Sequence, residues 1–532
     1  MTAIQLTEAL ISRLQNHLGA DRVITDAARR QLLSTDFYSA GAVCATAIRP
    51  ADTKSLSNAV RAITAAGYAV IPRGGGMSYT GGYTPTHETS VIVDTSDLSG
   101  IVDFDPQNMT LTVRAGTTWE TIYDELKPHG LRLPFFGTFS GRLATVGGGL
   151  SNGAVFFGTA RYGSAADNTL GIEVVCADGQ ILRTGQAAFR NGKPFYRTYG
   201  PDLTGLFLHD CGALGIKTEA TFRLIEAPPH EDFLSFAFPD ALSSAAALSA
   251  VARCGATEEA YVFDPATTAG NMAGGDLRSD VRKLGEIVKS QRSVAAGLKA
   301  GARVVAAGKR LVPEDAYSLH MACAARTRSA VQSDLARCRD ILGALGGIEI
   351  PNSIPLAARA TPFDSLNRVL GPDGERWAAL NAKVTHSDAA ELINSFAAML
   401  TRYRDRMQAL NVTVSTLFIA MNTHAFSLEP VFHWRDRWLP MHRTVPDPDH
   451  LAKLTEAPDN PDAAELVAEL RSETLRLFSE FGAASNQIGR TYAYRENLDA
   501  ATRALLDALK AELDPAGLMN PGVLGYPQPE QP

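Results

Sequence analysis

The chain has 532 residues, enough for two or three domains with buried cores. Its 50 basic and 57 acidic residues leave a net charge of −7, which excludes a nucleic-acid binder driven by bulk positive charge, though not a local basic patch. Hydrophobic residues at 45% with 20% charged exclude a disordered chain.

The N-terminus lacks a basic region followed by an apolar core. Leu6, Leu10, Ile11, Leu14 and Leu18 instead mark the apolar stripe of an amphipathic helix. No run is long and apolar enough for a transmembrane segment, and the expected location is cytoplasmic. The six cysteines (Cys44, Cys176, Cys211, Cys254, Cys323 and Cys338) form no C-x-x-C pair and are expected as free thiols. Helices are predicted over 56–66 and 119–126, with strands over 69–72, 90–94 and 110–113. Residues 71–163 hold 16 of the 45 glycines, so this stretch is expected to use positive φ or to press backbone against a ligand. Strands over 172–175 and 180–182 flank the hairpin signal Ala177-Asp178-Gly179. Pro228-Pro229 punctuates the chain. Beyond it, alanine-rich helical patterns alternate with strands such as 417–421, then comes a Pro/Asp-rich loop over 444–461. A final helix over 498–513 precedes the turn Asn520-Pro521-Gly522 and a polar, Pro-rich tail.

Two glycine loops stand out. In Pro72-Arg73-Gly74-Gly75-Gly76-Met77-Ser78-Tyr79-Thr80-Gly81-Gly82, successive backbone N–H groups can form an anion-binding concavity; a tight turn between strands is the plain alternative. No G-x-x-x-x-G-K-[ST] is present, so a P-loop NTPase is unsupported. In Thr145-Val146-Gly147-Gly148-Gly149-Leu150-Ser151-Asn152-Gly153, the spacing G-x-G-x-x-x-G misses the dinucleotide fingerprint, and 139–144 is no buried strand. A Rossmann site is rejected.

Four ordered blocks, PRGGGMSYTGG, ATVGGGLSNGA, YGSAADNTLGIEVVCADGQILRTG and GPDLTGLFLHDCGALGIKTEATFRL, resemble the FAD-binding domain of the vanillyl-alcohol oxidase / p-cresol methylhydroxylase (PCMH) flavoproteins over about residues 40–228. The closing DPAGLMNPGVLGYP resembles the end of the same family. The resemblance implies an α+β protein. Residues 1–228 would be a PCMH-type FAD-binding domain of two subdomains, 229–484 a cap with an antiparallel sheet, and 485–532 a segment returning to the first domain. It implies FAD with its pyrophosphate lined by Arg73, Gly74, Gly75, Gly76, Met77 and Ser78 and by Thr145, Val146, Gly147, Gly148 and Gly149. Ser151, Asn152, Gly163, Asp167 and Asn168 would follow the isoalloxazine, ribityl or ribose side, Gly215 and Ile216 the adenine side, and Asn520 the returning segment. Met77 stands where some members carry a flavin-linking His, and 134–153 holds no Cys, so FAD is expected to bind non-covalently; His424 is the remaining candidate for a link.

In the cap, Asn422-Thr423-His424 and Gly482-Ala483-Ala484 fall where a related lactate/glycolate branch carries metal ligands, and neither supplies them, so no metal is expected. A substrate anion calls for a fixed cation, with Arg490, Arg495 and Lys383 as candidates. His424, His433, His386 and Tyr492 are the candidate bases. Arg490 beside Tyr492 and Tyr494 is expected to face the flavin and hold the substrate. The implied activity is oxidation of a small aromatic alcohol, phenol or 2-hydroxy acid. The alternative is a flavin-bearing subunit of a respiratory dehydrogenase assembly, and a non-redox group transfer is the outlying reading. The electron acceptor (O2, quinone or cytochrome) and a homodimer are left open.

Overall fold

A computed structural model describes residues 3–273 and 312–528; the middle of the expected cap, 274–311, and the end of the tail lie outside them. The first helix, Ala3–Leu18, buries Leu10 and Leu14 against helix Thr53–Ala65. That second helix starts three residues before its apolar pattern does, because the Asp52 side chain accepts from the Ser55 N–H and caps it. It links strands Thr46–Ile48 and Ala69–Arg73, which both run parallel to Ser90–Asp94 in a four-stranded sheet. The C-terminal segment closes this sheet. The Val70 N–H donates to the Leu518 carbonyl, the Asn520 N–H donates to the Val70 carbonyl, and Met519 is fully buried in the same core.

A second, antiparallel sheet orders its strands Ile101–Asp105, Thr110–Arg114, Ile216–Arg223, Thr169–Val175 and Ile181–Arg183. Its core centres on Trp119, which meets the Phe135 ring edge-on at 5.4 Å. The second glycine loop is mostly helix, Val146–Asn152, capped by Thr145. Two of its glycines face the core. A Cβ on Gly147 would lie 2.9 Å from the Ala115 Cβ, and one on Gly149 would lie 2.6 Å from the Trp119 ring. Glycine there is what lets the helix sit down on its sheet.

The third sheet has eight strands, all drawn from residues 230–434. Its order is Ile348–Ile350, His230–Phe238, Tyr317–Ala325, Glu259–Phe263, Thr413–Met421, Ala425–Trp434 and Arg376–Ala379, with Ala382–Val384 also pairing to Ala425–Trp434. One face carries Phe418, Phe426, Leu428 and Phe432 into a core shared with helices Ala241–Cys254, Arg328–Ala344, Ala389–Ala409 and Pro461–Glu480. The other face turns Tyr261, Phe263 and Leu417 towards Met77 and Phe156 of the glycine-rich region. Buried ion pairs clamp that seam: Arg132 meets Glu258, and Arg359 bridges Glu258 and Glu259, the latter at 2.8 Å. Among the described residues, no helix is long and apolar enough to cross a membrane.

Candidate functional site

Strand Ala69–Arg73 runs into the first glycine loop. A Cβ on Gly74 would lie 2.3 Å from the Thr145 Oγ1, so the loop rests against the start of helix Val146–Asn152. A Cβ on Gly75 would overlap the Leu143 carbonyl at 1.8 Å, and Gly76 turns at φ +72° beneath the Arg73 guanidinium. Among the described residues, the N–H groups of Gly74 to Ser78 donate no backbone hydrogen bond. Arg73 is 8% exposed. It lies over the Tyr83 ring, donates to the Gly74 carbonyl at 3.3 Å and points Nη2 at the Met441 sulfur. Its Nε is buried with no partner. A buried cation with an unfilled donor beside free amides calls for an anion. Gly148 completes the cradle: a Cβ there meets only the Thr145 Oγ1, at 3.3 Å, and otherwise open space. The chemistry of this set fits a pyrophosphate.

The remaining expected cofactor residues divide into two groups. Asp167 accepts from the Ser164 N–H and Oγ, its carboxylate lying where a Cβ on Gly163 would be. Asn168 donates to the Tyr162 and Ser164 carbonyls and leaves its Oδ1 buried without a partner. Ser151 and Asn152 join neighbouring segments through their carbonyls, which accept from the Cys211 and Gln487 N–H groups. Ile216 is buried in the core of the first sheet, with Gly215 pressed on Val174. The Asn520 Nδ2 donates to the Gly82 and Cys211 carbonyls and so ties the first loop to the 211 segment.

Across the seam, strand register sets the chemistry. Lys383 pairs with Ser427, and Glu429 lies two residues further along the same strand, so both side chains share the face opposite the Phe426 core. The Lys383 Nζ donates to the Asn486 Oδ1, with Asp167 and His209 nearby. Burial pushes the ammonium down to about 8. Burial, then the Lys383 charge, pushes His209 down to about 4, so its ring is neutral at pH 7. Glu429 is pushed up to about 7 by burial alone, with no cation or donor to offset it among the described residues. Beside it, the Tyr79 Oη accepts from the Gln487 Nε2, and the Tyr492 Oη accepts from the Asn381 N–H. Burial raises both phenols, so each is a neutral hydroxyl.

Three expectations are corrected. Arg490 does not face a substrate. Its guanidinium donates to the carbonyls of Gly81, Thr84 and Pro521 and to the Asn520 Oδ1, which occupies all its donors and rivets the first loop to the C-terminal segment. His424 is exposed on the turn between strands Thr413–Met421 and Ala425–Trp434. His433 sits at the other end of the latter strand, about 30 Å away at the usual strand rise, bonded to Ser415. Of the other candidates, His386 faces the Thr423 carbonyl and Arg495 pairs with Asp507. Lys383 and Tyr492 do reach the seam. His209, Glu429 and Tyr79 were missed. Glu429 had a legible signal, a carboxylate inside the otherwise apolar run Leu428-Glu429-Pro430-Val431-Phe432; His209 had none beyond its block. Among the described residues, no three His, Cys, Asp or Glu side chains converge as metal ligands.

A family model described as an FAD binding domain matches residues 44–185. The chain is 31% identical over 208 residues to the mitochondrial D-lactate dehydrogenase (cytochrome) 1 of Saccharomyces cerevisiae, covering 39% of this chain and 34% of that protein. The match therefore spans about a third of that relative's length. Among solved structures, p-cresol methylhydroxylase with substrate bound aligns with TM-score 0.74 at 17% identity, covering 99% of this chain and 98% of that one. An alkyldihydroxyacetonephosphate synthase aligns with TM-score 0.68 at 15% identity, covering 97% and 84%. Both of these likenesses are of fold. The cradle of Arg73 and Gly148 and the matched domain converge: the chain carries an FAD-binding domain over residues 44–185, FAD is its cofactor, and its fold is that of the PCMH-type flavoproteins.

Proposed function

We propose that this chain is an FAD-dependent oxidoreductase acting on a small alcohol-type substrate with an anionic group, a 2-hydroxy acid in preference to a phenol. Residues 1–228 and 485–532 form the flavin domain in this reading, and 229–484 the cap. The fold alone does not choose, since one structural neighbour is named a hydroxylase and another a synthase. The observation that carries the choice is Lys383 and Glu429 on one face of the cap sheet, turned to the flavin-domain seam. Bound FAD supplies the acceptor for a hydride. Lys383 holds the substrate carboxylate as a point charge. Glu429, poised near neutrality, takes the hydroxyl proton as the C–O bond becomes C=O. Tyr79 and Tyr492 offer neutral hydroxyls beside it. FAD is held non-covalently: Met77 replaces a linking His, and His424 is exposed on its turn.

The test is anaerobic mixing with 2-hydroxy acids and with aromatic alcohols while flavin absorbance is followed. Hydroxy acids are expected to bleach the wild type. Lys383→Met should slow bleaching by roughly 30-fold to a few thousand-fold, as losing a buried charge contact costs about 2–5 kcal/mol. Undiminished bleaching by hydroxy acids in the variant overturns the assignment.

A further inference from the structure

Seven large hydrophobic side chains between 181 and 206 are exposed, a density found nowhere else among the described residues. Phe189, Phe195, Tyr196 and Tyr199 are 47%, 57%, 54% and 69% exposed, and Leu203 and Leu206 flank them. The rings form two adjacent pairs, Phe189 with Tyr199 at 5.4 Å and Phe195 with Tyr196 at 6.2 Å. Order is built into the segment. The Gln186 N–H donates to the Tyr196 carbonyl, the Gly192 N–H donates to the Phe189 carbonyl, and the Arg197 Nη1 donates to the Ala166 carbonyl at 2.6 Å. Among the described residues, nothing offsets the cost of holding these rings out in water.

The same residues carry four basic side chains and one acidic one, in a chain of net charge −7. Arg183 pairs with Glu173 and Arg197 with Asp202, while Arg190 and Lys193 are exposed and in no ion pair within 4 Å, Lys193 lying in electrostatic range of Asp105. Four basic side chains against one acidic leave this patch short of the complementary charge that a self-paired surface would need. The rings stand on a segment beyond the edge strand Ile181–Arg183. Apolar rings with phenolic tips, backed by an excess of cations, match the layered chemistry of a bilayer surface: acyl chains, headgroup boundary, anionic charge. We propose that residues 185–206 dock the protein on an anionic lipid surface, with Phe189, Phe195, Tyr196 and Tyr199 entering the headgroup boundary and Arg190 and Lys193 lying on the phosphates.

The experiment is vesicle flotation of the full, FAD-loaded chain with phosphatidylcholine alone and with phosphatidylcholine plus phosphatidylglycerol. Flotation with the anionic vesicles, falling as salt rises, is expected. Arg190→Gln with Lys193→Gln should weaken it roughly 25-fold, about fivefold for each charge. Phe195→Ser with Tyr199→Ser should abolish it while the flavin spectrum and melting temperature hold. Three results overturn the proposal: no flotation with anionic vesicles, flotation indifferent to both pairs of substitutions, or a self-association lost in the aromatic variant without any lipid binding.

Discussion

Arg73 is buried with an empty donor, and Glu429 is a half-buried carboxyl that no cation offsets among the described residues. Arg490 is the opposite case: it was legible as a cation near two tyrosines, yet its fork is filled by backbone carbonyls that no sequence spacing reveals. Arg490→Lys should therefore lower the melting temperature and weaken FAD retention, while the loaded fraction oxidises substrate at the wild-type rate. A rate loss in the loaded fraction at unchanged melting temperature would restore it to the substrate site. Glu429 makes a second prediction. Its folded-state value is raised, so its contribution to stability is full below the ordinary carboxylate range and is lost as pH rises through about 7. Glu429→Gln removes that loss. The variant should melt with the wild type near pH 4 and above it at pH 8, by on the order of 2 kcal/mol. Equal melting at both values would place the carboxylate in water.

At the scale of elements, legibility followed local chemistry. The β-branched run Ser90–Asp94 and the Thr118-capped helix Trp119–Leu126 fall at their predicted bounds because propensity and capping agree there. Helix Val146–Asn152 was not legible. Three glycines, a serine and an asparagine make a poor helix, and it forms because Gly147 and Gly149 let it pack on Ala115 and Trp119. Its glycines thus separate by role. Gly148→Val should abolish FAD binding with secondary structure intact, since only its Cα faces open space. Gly75→Val should also disrupt the apo fold, because its Cβ would overlap the Leu143 carbonyl. Full FAD occupancy in Gly148→Val would mean that the helix start does not border the cofactor.

Over the whole molecule, the order of the glycine blocks and the return of the C-terminal segment were legible from the blocks themselves. The pairing of Ala382–Val384 with Ala425–Trp434 was not, since it joins residues more than 40 apart in sequence and only register tells which side chains share a face. That register puts Lys383 and Glu429 opposite the flavin domain, and on it the functional account rests. The most direct measurement is the pH dependence of the second-order rate constant for anaerobic flavin reduction by the best 2-hydroxy acid, in the wild type and in Glu429→Gln. The wild type should rise as Glu429 ionises near pH 7 and fall as Lys383 loses its proton near pH 8. Glu429→Gln should be slower by roughly 10²–10⁴-fold and lack the rising limb. A variant that reduces its flavin at the wild-type rate with the same profile would contradict the account.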